Sequence, residues 1–297
     1  MIDIENFWNS FNSYLPCFFL ASAILSLWIK RSPIVWGTLF FFGILLGFVT
    51  DRLQWISLIS IIALGVLFYI TFQVTKYKPW LRITCGLLGC ILSVALGFHL
   101  IPGFNNFKVI TDTILSPGAY PYSLYLNFDK ALVGLFILAF GWTYINHASS
   151  LKKNIIKTLP IILLTIVILI PLAIALKYVQ FDPKFTSIFW IWALVNLLFG
   201  CVPEEALFRG VIQNSLTRTF SKYSFAPYLA ILITSILFGL AHFFGGPKFM
   251  FLSFVAGLFY GWAYYRSKRI EASIATHFIL NATHFLGFTY PALKLIN

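Results

Sequence analysis

Apolar residues in this chain fall in long blocks separated by short polar or glycine- and proline-containing breaks, and most blocks approach the length a helix needs to cross a bilayer. The blocks at 15–29, 34–49, 55–73, 81–101, 131–146, 158–178, 186–202, 226–245, 249–265 and 271–290 predict helices. The expectation is an all-α polytopic transmembrane helical bundle of about eight to ten spans. The longest polar interruption, 102–130, holds Pro102, Gly103, Asn105, Asn106, Pro117, Gly118, Pro121 and several Tyr. It reads as turns with aromatic interface anchors. It divides the chain into N-terminal helices over 1–130, with no assigned role, and a C-terminal domain over 131–297. The latter holds nearly all the candidate chemistry, with a core at 186–290.

Composition sharpens this picture. Sixty per cent of the 297 residues are apolar, 10% are charged and 33 are Phe, far from the usual soluble balance. The net charge of +12 comes with no span-free basic domain, so it does not point to nucleic acid. With ten spans and the N-terminus outside, two thirds of the 21 Lys and Arg fall in inside loops, among them Lys76, Lys78, Lys152 and Lys153. That is the positive-inside bias. Asp3 and Glu5 stand where a cleavable signal would be basic, so the first span is expected to be retained. Cys17, Cys85, Cys90 and Cys201 lie in apolar segments without metal-ligand spacing and read as buried thiols.

The chemistry begins just after one of the most apolar stretches, at Pro203-Glu204-Glu205-Ala206-Leu207-Phe208-Arg209. The chain has only nine acidic residues, and an ionisable group at membrane depth needs a partner or a purpose. Pro203 suits a first helical turn, which would put both glutamates at the positive end of a helix over 203–222. Glu205 and Arg209, four apart, can pair on one face. Glu204 points elsewhere and remains available, in a setting that suits a general base. A buried salt bridge holding two helices is an equally good reading of these residues alone.

Other polar positions recur at helical spacing. Phe238 and His242 are four apart, as are His277 and Asn281. Imidazole and carboxamide side by side can hold an oxyanion or simply bond between helices. A lone His242 near a helix end reads first as structural. His284 is a spare on the His277 face, and His99 reads as a hydrogen-bonded interior histidine. Gly257 and Gly261 form a small-residue pair for close helix packing. At about 1.5 Å per residue, Glu204 stands about 27 Å above Lys222, His242 about 24 Å above Ala226 and Asn281 about 18 Å above Arg269. They converge in one half of the membrane if 203–222 descends through it as a span of its own.

The three motifs together, Glu204-Glu205-x-x-x-Arg209, Phe238-x-x-x-His242 and His277-x-x-x-Asn281, resemble the CAAX-protease and bacteriocin-processing (Abi) family, which includes the type II CAAX prenyl endopeptidases. The resemblance covers about 186–290. It implies intramembrane proteolysis of a membrane-associated protein or peptide, with a C-terminal sorting or lipidated tail as a candidate. By that resemblance Glu204 and His242 activate water, His277 and Asn281 hold the oxyanion, and Glu205 and Arg209 position the site. The expected partners are the lipid bilayer and a peptide substrate, and the extended N-terminal region and short loops point to a multi-pass protein of a prokaryotic cell membrane. No cofactor is expected; Glu, His and His could ligate zinc, but no His-Glu-x-x-His pairing is present. The alternative is a non-catalytic bacteriocin-immunity or scaffold protein. A proton-coupled transporter fits less well, because no doubled broken helices are seen.

Overall fold

The computed structural model describes residues 4–74, 79–146 and 151–294. Asp3, Lys76 and Lys78 lie outside the described residues, as do the side chains of Glu5, Lys152 and Lys153. Among the described residues the helices are α1 (Ile4–Ile29), α2 (Pro33–Val49), α3 (Ser57–Gln73), α4 (Pro79–Gly97), α5 (Phe128–Ile145) and α6 (Leu151–Ala175). Then follow α7 (Phe189–Thr219), α8 (Ala226–Leu240), α9 (Gly246–Ser267) and α10 (Ile270–Gly287). A two-stranded sheet, β1 (Phe107–Thr113) and β2 (Tyr122–Leu126), precedes α5.

Among the described residues six helical segments are long and apolar enough to cross a membrane, at 12–29, 79–97, 128–145, 154–175, 189–219 and 243–267. The helices at 33–49, 57–73 and 226–240 are apolar but shorter. The protein is a helical integral membrane protein. The segment read as turns, 102–130, contains the sheet: its proline and glycine positions mark the loops, while Phe107–Thr113 and Tyr122–Leu126 pair as strands. Ser123 Oγ donates to Asp112 Oδ1 at 2.8 Å in this sheet.

The chain divides into two compact units. The first comprises Met1–Val109, Tyr125–Tyr144 and Leu198–Leu207. In it α1 packs on α2, where a Cβ added at Gly43 would fall 3.2 Å from the Pro16 carbonyl oxygen. Helix α3 packs on α4, where a Cβ added at Gly89 would fall 3.1 Å from the Phe68 ring. Helix α5 is apolar and buried nearly all round, through Ala131, Leu132, Val133, Leu135, Phe136, Ile137 and Leu138, as an interior helix should be. Its Gly134 lets the Pro203 backbone approach to 3.2 Å of the Cβ position.

The second unit comprises Ile110–Leu124, Ile145–Leu197 and Phe208–Asn297. Helix α9 packs against α6, α8 and α10. The small-residue reading of Gly257 and Gly261 holds: a Cβ added at Gly257 would fall 3.1 Å from Ser235 of α8, and one added at Gly261 would fall 2.8 Å from Gln213 Oε1. A Cβ added at Gly239 of α8 would fall 2.9 Å from both Met250 O and Phe254 Cβ.

Helix α7 corrects the sequence reading. The expected span 186–202 and the separate helix from Pro203 are one run of 31 residues. Pro203 therefore starts nothing, and Glu204, the sixteenth residue of the 31, sits near the middle of the helix, remote from the positive end of its dipole. Two stretches, Asn196–Cys201 and Ala206–Gln213, are π-helical and flank a short α turn. Pro203 lacks an N–H and its ring crowds the carbonyl four residues back; the widened turn just before it accommodates both. In π turns the bonds run from i to i+5.

The packing of α8 on α9 gives a direct expectation for stability. Gly239→Val should lower the thermal midpoint of the full chain in detergent, by overpacking worth about 1–3 kcal/mol. At Gly37 of α2 nothing lies within 4 Å of the added Cβ, and Gly37→Ala should hold or raise the midpoint by about 0.5–1 kcal/mol. Equal midpoints for the two variants would contradict the close approach at Gly239.

Candidate active site

In the first unit the site is built on the start of α5 and the middle of α7. Lys130 stands in the first turn of α5, where the helix dipole disfavours a cation. Its Nζ lies 2.6 Å from Glu204 Oε1, with the two side chains 22% and 16% exposed. One turn further along α5, Gly134 admits the Pro203 backbone. This close approach brings the Glu204 segment against the Lys130 face. Glu205, its neighbour, is fully buried. Asp129, 1% exposed, sits beside Lys130 and accepts from the Lys130 backbone N–H at 2.8 Å and from Asn106 Nδ2 at 3.0 Å. His99 Nδ1 meets its other oxygen at 2.6 Å. Asn106 Oδ1 in turn accepts from the Phe128 N–H at 2.9 Å, satisfying an orphan donor of the helix start.

In the second unit Phe238 of α8 is the common neighbour. The Arg209 guanidinium carbon lies 4.5 Å from its ring centroid and 5.4 Å from that of Tyr260. Arg209 is fully buried and donates from Nη2 to Gly257 O at 3.2 Å. The His242 ring is 4.6 Å from Phe238, Tyr260 is 5.9 Å away, and His277 meets it edge-on at 5.8 Å. His277, itself buried, stacks on Tyr260 at 4.5 Å with 16° between the planes. His242 Nδ1 lies 2.7 Å from the Phe238 carbonyl oxygen. A carbonyl only accepts, so the proton sits on Nδ1, and in the neutral ring Nε2 carries the lone pair. One turn beyond His277, Asn281 Nδ2 donates to Asn196 Oδ1 at 3.2 Å.

The structure thus gathers Arg209, His242 and His277 around Phe238, and sets Asn281 with Asn196. Glu204 and Glu205 belong to the first unit. Glu204 was expected to be the available carboxylate; it is held by Lys130. His284 Nε2 donates to the Thr289 carbonyl at 3.0 Å and ties down the turn after α10. His99 is hydrogen-bonded, as expected, although its side chain is 44% exposed. The four cysteines are free thiols, three of them buried. Among the described residues, no three His, Cys, Asp or Glu side chains are grouped as a metal site requires.

Three contributors escape a reading of the sequence. Lys130 looks like one more loop charge, though a lysine in the first turn of an apolar helix is a signal of a partner. Asn196 is a lone amide in the apolar run before Gly200, and that isolation was the clue. Tyr260 lies between Gly257 and Gly261 on a helix read only for packing, and nothing in its spacing marks it.

Residues 186–283 match the family model described as type II CAAX prenyl endopeptidase Rce1-like. The matched segment holds Glu204, Glu205, Arg209, His242, His277 and Asn281. No curated protein and no solved structure matches the chain. Over about a third of its length, this integral membrane protein carries a match to a family of proteases, the Rce1-like type II CAAX prenyl endopeptidases.

Proposed function

We propose that the chain is an intramembrane endopeptidase in which Glu204 and His242 activate a water molecule. The water attacks the scissile carbonyl, its proton passes to the carboxylate or to His242 Nε2, and the proton is returned to the departing amine. The lone pair assigned to Nε2 suits that role. His277 and Asn281 are the donors to the oxyanion that forms on the carbonyl oxygen. Arg209 and Glu205 hold the middle of α7 in place. The substrate is a membrane-associated protein or peptide, with a C-terminal sorting or lipidated tail as the leading candidate, in a prokaryotic cell membrane. What carries this reading is the meeting on one ring, Phe238, of side chains from all three motifs: Arg209 at 4.5 Å, His242 at 4.6 Å and His277 at 5.8 Å. An ionisable group this deep in an apolar helix is hard to maintain without a use for it.

The test compares protein termini by mass spectrometry in membranes of the source organism lacking the chain. One culture carries the wild type and the other Glu204→Gln at equal expression. A terminus that appears only with the wild type identifies the cleavage; identical termini would move the weight to a non-catalytic scaffold.

Glu204→Gln should abolish cleavage while the protein still elutes as a folded, monodisperse species, with a lowered melting midpoint because Lys130 loses its counter-charge. Full activity would remove Glu204 as the base. Asn281→Ala should lower kcat about 100-fold with KM changed less than about twofold, the pattern of a contact made only in the transition state. An unchanged kcat would take Asn281 out of the oxyanion role.

A further inference from the structure

Glu204 acquires its ionic partner from outside the family-matched segment. Lys130 lies 74 residues earlier in the chain, on a helix that the three motifs do not include. Its place in the first turn of α5 is unfavourable for a cation and is offset by the Asp129 carboxylate beside it. That carboxylate is itself fastened by His99 and Asn106. Asn106 also closes the start of the helix through the Phe128 N–H. The first turn of α5 is therefore pinned on two sides, and the Lys130 side chain leaves it toward Glu204. The close fit of Gly134 against Pro203 holds the two backbones at the spacing that a 2.6 Å contact needs.

We propose that Lys130 is a positioning residue for Glu204: it fixes one carboxylate oxygen and balances the charge at membrane depth. The proposal rests on the protease reading above. On that reading Lys130 acts through Glu204 and never touches the substrate. The N-terminal helices then have a task in catalysis, because the pinned start of α5 supplies the lysine.

The experiment uses the full-length chain in detergent, with a quenched fluorescent peptide ending in a prenylated cysteine and three further residues as probe. Lys130→Met should lower kcat about 100-fold with KM within about twofold, the size of effect seen when one preorganised electrostatic contact is lost. Lys130→Arg, which keeps the charge, should return kcat to within about tenfold of the wild type. Lys130→Gln, which keeps a donor without the charge, covers the case in which the methionine variant does not fold; it too should lose at least about tenfold in kcat. Melting midpoints of Lys130→Met, Glu204→Gln and the double variant give a second readout, since a direct pair makes the double loss smaller than the sum of the single losses. Wild-type kcat in the folded Met or Gln variant overturns the proposal, as does strict additivity of the melts. A wild-type chain that is inert toward the probe and leaves no dependent terminus in membranes removes the protease reading instead, and the role of Lys130 with it.

Discussion

The Phe238 ring is the contact on which the second unit's chemistry depends. A guanidinium in an apolar helix is costly, and Arg209 is fully buried. The face of Phe238, 4.5 Å away, and the Gly257 carbonyl give that charge somewhere to rest. The same ring borders both candidate histidines, so the packing that accommodates the cation also fixes the spacing of the imidazoles. Glycine is needed at 257 for two reasons at once: its missing side chain admits α8, and its carbonyl is thereby brought within reach of Arg209. Removing Phe238 would disturb the arginine, the two histidines and Tyr260 together, and its absence could not be made good at any single one of them.

Helix α7 concentrates the remaining polarity in its middle. Its π turns sit on both sides of Val202–Glu205, and such insertions recur at functional sites. They change the direction in which successive side chains leave the helix. Glu204 is therefore held by a tertiary contact, Lys130, and not by a helix terminus. A carboxylate held in this way has its position set by packing, which is a firmer constraint than the short reach of a dipole.

Much of this was legible in the sequence. Each apolar block falls on a helix, because a bilayer demands long uninterrupted runs, although α1, α6 and α7 extend well beyond the blocks that mark them. His277 and Asn281, placed on a shared face by the four-residue period, do lie on one α-helix; His242 falls in the turn just past the helix that carries Phe238, which ends at Leu240. The failures have physical causes. Pro203 looked like a helix start because proline usually is one; a loosened turn lets the helix run through it. The strands at 107–113 and 122–126 were hidden by turn residues on either side. Lys130 was out of reach because a partner 74 residues away leaves no local pattern, and the charge of Glu204 was visible while the means of balancing it was not.

The order of the chain bears on how such a helix enters a membrane at all. Synthesis runs from the N-terminus, so α5, with Lys130 and its Asp129 support, is already made when α7 emerges. A carboxylate that would otherwise be inserted at a penalty of about 2.5–3.5 kcal/mol meets a waiting ammonium. Arg209 has no such advantage with respect to its aromatic bed, since Phe238 and Tyr260 are made after it. Assembly of the second unit thus has to finish around a cation already delivered, which makes the insertion of α8 and α9 the step at which biogenesis is most exposed to failure.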